Sequence, residues 1–287
     1  MFVLVEGRDH DRPFYERLLS KYPPAASSGF TIRLVEDLKL DGVSAGGKPF
    51  AHKLFDYFDA NGYLNQRNSV GPRQIVFMLD KDFEDFEPQP RSSPHLIATE
   101  SADVEAEILR TGKLRKSLAA TYGLTKAMVR DVAPNNTDPF TDLGLRWERW
   151  LQARATSCSC GLPGAAKYGN LSQINRDIFG PLDSALESVL FTHIGAAVLA
   201  ASAQADALTA QTEVTTRLAS DRAHELIKGR WLSKYFAYLV KTQLSGLTIK
   251  NGVAPDALVG VALATVDFKG SWTTHYRQRL DALLAMT

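Results

Sequence analysis

The sequence predicts an α/β fold in which a parallel sheet is flanked by helices and followed by a mostly helical region. Short apolar runs at residues 2–5 and 75–79 each end abruptly in acidic residues. A run of four or five apolar residues between polar ones fits a strand that is buried on both faces, as in parallel sheets. Helical periodicity lies between these runs. We expect one domain at residues 1–110 and a mostly helical domain at residues 111–287.

The first region alternates strand and helix patterns. The predicted strands are 2–5, 30–35, 75–79 and 95–98, and the predicted helices are 12–21, 50–63 and 102–109. Each helix carries apolar residues four positions apart on one side, such as Phe50 and Leu54. Pro13 falls in the first turn of the first helix, where the missing N–H of proline costs little.

Beyond Thr111, strand patterns become rare and helical periodicity dominates. The predicted helices are 113–122, 145–155, 184–210, 214–244 and a last one around 276–284. The most apolar stretch, Ser188 to Ala203, is too short for a membrane span. It predicts a buried helix, and we expect no membrane association.

Acidic residues follow two of the predicted strands. Glu6 comes directly after the first strand, and Asp80 and Asp82 come after the third. In open α/β sheets, functional sites gather at the carboxyl ends of the strands. Carboxylates held close together repel one another, and a divalent cation removes that penalty. The pattern predicts a Mg²⁺ or Mn²⁺ site that acts on phosphate esters.

The same residues resemble the Toprim domain, a metal-binding fold shared by topoisomerases, bacterial primases, ribosomal-RNA maturation nucleases and OLD-type nucleases. The resemblance rests on Val5-Glu6-Gly7 with Asp9 close behind, and on Asp80-Lys81-Asp82 after a later strand. Segments 6–15 and 99–105 look like the small Toprim proteins found beside ABC-type ATPases in bacterial anti-phage systems, such as the PARIS effector. The resemblance covers the first 110 residues.

This resemblance implies a Toprim-like Rossmannoid sheet and a set of site residues. Asp80 and Asp82 would bind Mg²⁺ or Mn²⁺, with Glu105 contributing directly or through water. Glu6 would act as the general base or as a ligand to a second metal, and Asp9 would orient Glu6 or Arg8. A solvated position near a helix N-terminus explains Glu105 equally well.

Two points about the metal site stay open. Glu100 and Asp103 are the alternatives to Glu105. Topoisomerase-like Toprim domains carry a further acidic and glycine element where this chain has Phe83-Glu84-Asp85-Phe86. The number of metal ions is therefore undecided.

Several basic residues are candidates for binding substrate phosphates. Lys48 ends a glycine-rich loop at residues 40–49, whose backbone N–H groups can face an anion or simply form a turn. The other candidates are Lys81, between the two aspartates, and Arg230 and Lys234 on a long helical segment. Trp231, Tyr235 and Tyr238 lie beside them, and such a stripe suits either base stacking or core packing. His224 is a proton carrier or, more commonly for a lone histidine, structural.

Charge is divided unevenly along the chain. Residues 1–110 carry 13 Lys and Arg against 18 Asp and Glu, and residues 111–287 carry 20 against 14. An acidic metal-binding half and a basic half suit a nucleic-acid substrate lying across both, although an imbalance of this size also arises by chance. Cys158 and Cys160 are expected to be free thiols in a cytoplasmic protein.

The resulting hypothesis is a Mg²⁺- or Mn²⁺-dependent endonuclease that cleaves RNA, including transfer RNA, or DNA. The resemblance implies an anti-phage effector controlled by an ABC-type ATPase partner. The alternatives are a maturation nuclease for structured RNA and a non-catalytic Toprim-fold interaction module. A homo-oligomer is compatible with each of them.

Overall fold

The computed structural model describes residues 1–7, 9–41, 46–69, 71–162, 177–180, 183–244 and 255–286. Within these residues the chain forms a five-stranded sheet and thirteen α-helices. The α/β class predicted from the sequence is confirmed.

Four of the five strands of the described sheet are parallel. The strands are β1 (Phe2–Val5), β2 (Thr31–Leu34), β3 (Asn65–Asn68), β4 (Gly71–Leu79) and β5 (Leu96–Ala98). The order is β2-β1-β4-β3, and β5 also pairs with β4. β3 runs antiparallel to the first half of β4, with Asn65 opposite Gln74. β3 was not predicted, because its residues, Asn-Gln-Arg-Asn, are all polar and show no alternation.

Thirteen α-helices accompany the sheet in the described residues. They are α1 (Asp11–Ser20), α2 (Pro23–Ser28), α3 (Gly47–Ala60), α4 (Val104–Thr111), α5 (Leu114–Tyr122), α6 (Lys126–Val132), α7 (Pro139–Arg146), α8 (Glu148–Ser159), α9 (Ser184–Ala200), α10 (Gln204–Ala219), α11 (Gly229–Gln243), α12 (Pro255–Leu263) and α13 (Thr274–Leu284). Short 3₁₀ segments lie at Val35–Asp37, Glu84–Phe86, Ala223–Glu225 and Ser271–Thr273.

Both faces of the sheet are buried, as continuous apolar strands require. On one face, Leu4 and Phe77 pack against Phe50 and Leu54 of α3 in a small core cluster. On the other face, neighbouring strand residues such as Val3 and Val76 belong to the main core cluster, with α1, α4 and α13. Alternate residues of each strand therefore enter different clusters, which is the period of two expected of a strand.

The helical region shares the main core with the sheet. That core cluster extends from Val3 to Leu283. Tyr276 of α13 packs edge-on against Phe14 of α1, and Gln74 of β4 donates a hydrogen bond to the carbonyl of Leu283 at 2.7 Å. The predicted domain boundary after residue 110 falls within α4. Helices far along the chain can therefore reach the carboxyl ends of the strands.

The prediction of one continuous helix at 184–210 and another at 214–244 is wrong. α9 ends at Ala200, and Ser202 takes a left-handed backbone with φ of 54° before α10 begins. α10 ends at Ala219, and α11 begins only at Gly229. The two predicted helices continue across residues 201–203 and 220–228, where the structure interrupts them. The second break brings the segment before α11 to the end of the sheet.

The stretch predicted as a buried helix lies at the surface. Of α9, only Leu190, Ile194 and Val198 are buried, while Val189 and Leu199 are 56% and 66% exposed. The prediction is wrong because high mean hydropathy does not require packing on every side of a helix. None of the helices in the described ranges combines the length and apolar composition that a bilayer crossing needs.

Candidate active site at the carboxyl ends of the strands

Five carboxylates converge where β1, β4 and β5 end. Glu6 follows β1, Asp80 follows β4, and Asp103 and Glu105 lie between β5 and the first turn of α4. Asp11 opens α1. β1 and β4 are neighbours in parallel register, with Val5 opposite Met78, so their ends share one edge of the sheet. We call Glu6, Asp11, Asp80, Asp103 and Glu105 the acid cluster.

Asp80 lies at the centre of the acid cluster. Its Oδ1 accepts a hydrogen bond from the backbone N–H of Val104 at 3.1 Å. Burial raises its pKa well above the usual value, and the charges of the other four members raise the pKa further. Carboxylates that perturb one another in this way lie within electrostatic reach and cannot all be ionised without a compensating cation.

Backbone N–H groups orient two other acids. Asp103 caps α4 by accepting from the N–H of Ala106 at 2.7 Å, and it also accepts from the N–H of Gly229 at 2.9 Å. Burial raises its pKa to about 7, with Glu105 contributing. Asp11 accepts from the N–H of Gly7 at 2.7 Å, and burial raises its pKa to about 6. Local hydrogen bonds thus hold acids that burial tends to keep protonated.

Glu6 and Glu105 differ in their surroundings. The Oε2 of Glu6 is buried and accepts no hydrogen bond from the described residues. Burial raises the pKa of Glu6, although nearby Lys48 opposes the change. Burial opposes ionisation of Glu105, but His10 Nδ1, 3.4 Å from its Oε1, together with its own backbone N–H and the charge of Arg230 outweighs burial and lowers the pKa of Glu105. Among the described residues, Glu6 therefore offers one buried oxygen to a new partner.

Asp82, predicted to bind metal, is engaged by two lysines. Its backbone is left-handed, with φ of 52°, a conformation that aspartate tolerates better than most residues. Lys48 Nζ lies 3.3 Å from Asp82 Oδ2, and Lys228 Nζ contacts Oδ1. Burial opposes ionisation, but the two ammonium groups outweigh it and lower the pKa of Asp82. Metal binding by Asp82 stays a prediction, and it requires displacement of a lysine.

A cleft of about 390 Å³ opens over the acid cluster. Its lining combines acids, cations and one aromatic ring: Asp80, Asp103, Glu105, Arg154, Lys228, Arg230 and Trp231. The guanidinium of Arg154 lies over the ring of Phe83, 5.0 Å from its centroid. Cations opposite carboxylates can bind a polyanion while the acids bind a metal ion.

The acid cluster suits a divalent cation in its chemistry. All five members offer carboxylate oxygens, the ligands that Mg²⁺ prefers, and Glu6 Oε2 lacks a partner within the described residues. In the part of the chain that the structure describes, no three acids, histidines or cysteines are close enough to form a ready-made metal site. A metal ion would therefore draw the carboxylates closer.

No protein-family model, curated protein or solved structure matches this chain. The resemblance to Toprim proteins therefore stays a prediction, and the site is interpreted from its own geometry.

The structure places several predicted residues away from the cleft. Lys81 Nζ lies 2.6 Å from Glu225 Oε2 and 3.3 Å from Asp85 Oδ2, turned from the acid cluster into an ionic network. Lys234 is exposed on α11 and does not line the cleft, whereas Arg230 does. The roles of Lys81 and Lys234 in substrate binding stay predictions.

The remaining candidates occupy varied positions. Asp9 is exposed, and it is Asp11 that bonds to the backbone beside Glu6. Glu100 pairs with Arg110, which leaves Asp103 and Glu105 as the acids that follow β5 in the cluster. Segment 42–45 of the glycine-rich loop lies outside the described residues, but Lys48 in the first turn of α3 reaches the site.

Other predicted features of the second region are structural in the described part of the chain. His224 accepts a hydrogen bond from Ala102 through its backbone carbonyl, and burial lowers the pKa of its ring. Tyr235 is buried in the core. Both Cys158 and Cys160 are free thiols, as predicted.

Sequence reasoning misses four residues at or beside the site: His10, Asp11, Arg154 and Lys228. Asp11 carries a usable signal, because an acid that opens the helix after a strand lies near the strand end. Arg154 and Lys228 carry none, since they arrive from α8 and from the break between α10 and α11.

We expect the Lys81→Met variant to lose stability without losing affinity for nucleic acid. The change removes a partner from buried Glu225, which retains Arg222 and Arg217, so the free energy of unfolding should fall by about 1–3 kcal/mol. Urea unfolding measures this change. Lys234→Met, on the exposed face of α11, is the control and should stay within about 0.5 kcal/mol of wild type. The opposite result would assign Lys81 to substrate binding: unchanged stability, and a dependence of nucleic-acid affinity on salt concentration that corresponds to about one fewer released ion.

Proposed function

We propose that this chain is a metal-dependent nuclease that hydrolyses phosphodiester bonds in RNA or DNA at the cleft. The observation that carries the proposal is that Asp80, Asp103 and Glu105 of the acid cluster line one small cleft together with Lys228 and Arg230, with Lys48 close by on Asp82. The carboxylates suit a divalent cation, and the lysine and arginine side chains suit a phosphate. A protein without chemistry at this edge would gain stability by replacing such uncompensated buried acids.

The acid cluster supplies the ligands for the metal. Glu6 and Asp80, from neighbouring strands, would hold it together with Asp103 or Glu105 from the start of α4. When bound, Mg²⁺ or Mn²⁺ polarises a phosphoryl oxygen and lowers the pKa of a bound water. The number of metal ions is left open by this assignment.

The cations supply the phosphate site. Lys228 and Arg230 flank the start of α11 and line the cleft, and Lys48 approaches from α3. In the free protein, Lys48 and Lys228 neutralise Asp82. A substrate phosphate would compete with Asp82 for these two ammonium groups. In the alternative role, in which Glu6 does not bind the metal, it would accept the proton of the attacking water, a role that suits a carboxylate whose pKa is raised.

The wider biological role follows from the sequence resemblance. A Toprim effector of an anti-phage system would be held by an ABC-type ATPase partner and would act on RNA, such as transfer RNA, or on DNA once released. A maturation nuclease for structured RNA would act alone, and a Toprim-fold interaction module would bind no metal. Toxicity on expression without a partner would favour the effector.

The test is a cleavage assay with Mg²⁺ or Mn²⁺ on plasmid DNA and total RNA. Wild-type protein should cleave one polymer, EDTA should stop it, and Glu6→Ala should lower the rate by more than about 100-fold, the usual upper cost of losing a group that only orients a ligand. Glu16→Ala, an exposed glutamate of α1, is the matched control and should behave as wild type. Cleavage that survives in Glu6→Ala or in EDTA would contradict the proposal, as would a protein that neither cleaves nor gains thermal stability with metal.

A further inference from the structure

We propose that the cleft accepts one unpaired nucleotide, with its base stacked on Trp231, so that the substrate is single-stranded or flipped out where it is cut. This inference rests on the proposed nuclease function and names its substrate class. It follows from the position of one indole ring relative to the charged groups around it.

Trp231 differs in exposure from the aromatic residues beside it. Trp147 and Trp150 are 1% and 0% exposed, and Tyr235, one turn further along α11, is 2% exposed. Trp231 is only partly buried and lines the cleft. Core packing therefore accounts for its neighbours, but it leaves part of this indole facing a polar cavity.

The ring of Trp231 is held in place before any ligand arrives. Trp150 packs edge-on at 5.2 Å between ring centroids, and Trp147 does so at 5.7 Å, each with an interplanar angle of 77°. A side chain fixed by two neighbours loses little conformational entropy when a flat partner stacks on it. The indole is thus a preformed surface for a planar group.

The groups around the indole match the parts of a nucleotide. Arg230, directly before Trp231, and Lys228, three residues before it, carry positive charge for the phosphate, and Arg154 adds a third cation. Asp80, Asp103 and Glu105 of the acid cluster line the same cleft. The volume of about 390 Å³ falls near the lower end of small-ligand sites, which span roughly 300–1,000 Å³, and suits one nucleotide.

A base inside a duplex cannot reach this ring. Both faces of a stacked base are covered by its neighbours, and enzymes that need the face of a base use single strands or flip the nucleotide out. Stacking on an aromatic side chain is tolerant of sequence, because every base has a π face. The cleft should therefore select for unpaired structure rather than for one base.

The test combines protein variants with substrates that lack a single base. One oligonucleotide is prepared as a single strand, as a duplex, and as single strands with an abasic site at each position around the cut. Dissociation constants in EDTA and cleavage rates in Mn²⁺ are measured for wild type, Trp231→Leu and Trp231→Phe. Trp272→Leu, in the aromatic contact with Phe14 and Phe268, controls for the loss of a packed indole.

We expect Trp231→Leu to weaken binding of the single strand by about 5- to 150-fold, the range of base–aromatic stacking, and Trp231→Phe to restore most of the loss. One abasic position should weaken wild type by a similar factor and should cost Trp231→Leu nothing further, since the two changes remove the same contact. The duplex should bind and react more weakly than the single strand.

The failures of the two proposals can be told apart. Two results would overturn stacking on Trp231 and leave the nuclease proposal intact. In the first, the protein cleaves, and the abasic sites weaken wild type and Trp231→Leu equally. In the second, the duplex is cut as fast as the single strand. If the protein never cleaves, but the abasic site weakens binding by wild type and not by Trp231→Leu, the result would contradict the nuclease proposal and support the stacking site. If Trp231→Leu fails to fold, Trp231→Phe and the abasic scan on wild type decide the question.

Discussion

Replacing Asp80 by asparagine is expected to raise the thermal stability of the metal-free protein and to abolish its response to Mg²⁺ or Mn²⁺. Asp80 is buried among four other acids that raise its pKa. Asparagine has nearly the same shape, and its amide oxygen can still accept from Val104 N–H, a bond of 3.1 Å in the native protein. The variant therefore removes electrostatic repulsion without creating a cavity.

The two effects of Asp80→Asn should have opposite signs. We expect a higher melting temperature, on the scale of about 2–4 °C for each kcal/mol gained, and a loss of cleavage of more than about 100-fold. Natural active sites commonly retain groups that cost stability because activity needs them. Calorimetry with and without metal, beside a cleavage assay, measures both quantities.

Asp59→Asn provides the matched control, because Asp59 is exposed on α3 away from the site. It should leave the melting temperature and the metal response unchanged. A fall in stability for Asp80→Asn, or a metal-induced shift equal to that of wild type, would remove Asp80 from the proposed metal site.

Replacing Gly229 by alanine is expected to separate α11 from α4 and to damage the site. An added methyl group would lie closer than 3.0 Å to backbone atoms of Glu105 and Ala106, a separation that real side chains essentially never show. The clash involves backbone on both sides, so no rotamer change can relieve it. It would also disturb the 2.9 Å hydrogen bond from Gly229 N–H to Asp103.

The Gly229→Ala substitution should displace both the cations and the acids of the cleft. Lys228 precedes the glycine, and Glu105 lies against it, so the groups proposed to bind phosphate and metal would shift apart. Overpacking costs about 1–3 kcal/mol and occasionally more, and small displacements of catalytic groups can lower rates about 100-fold. Denaturant unfolding and the cleavage assay measure the two effects.

Two other glycine substitutions calibrate this result. Gly195→Ala, on exposed α9, meets nothing within 4 Å and should stabilise the protein by about 0.5–1 kcal/mol. Gly144→Ala meets chiefly the flexible end of Leu218 and should cost less than Gly229→Ala. If Gly229→Ala folds and cleaves as well as Gly195→Ala, the close contact between α11 and α4 is not required.

Residues at strand ends could be predicted because burial leaves a pattern in the sequence. The runs Phe2–Val5 and Ile75–Leu79 are apolar throughout, and the structure buries alternate residues of each on opposite faces of the sheet. Once such strands are parallel, their carboxyl ends must share one edge. Glu6 and Asp80 therefore come together whatever the details of the intervening chain.

Elements without such a pattern could not be predicted. Strand β3 is wholly polar, and only its pairing with β4 makes it a strand. The break between α10 and α11 falls inside a segment predicted as one helix, and what accompanies it in the structure is the bond from Gly229 to Asp103, 126 residues earlier. The surface position of α9 likewise depends on what packs against it.

The cations around the acids also show the difference between what the sequence predicts and what the tertiary structure decides. Lys81 stands between two site aspartates in sequence, yet its ammonium group turns to Glu225, while Lys228, far along the chain, contacts Asp82. The sequence by itself determined the α/β class and the order of the acids, because hydrophobic periodicity records which residues are buried. Only the tertiary structure decided which cations and which indole face those acids, because ion pairing and stacking depend on distances of a few ångströms between segments that local sequence does not relate.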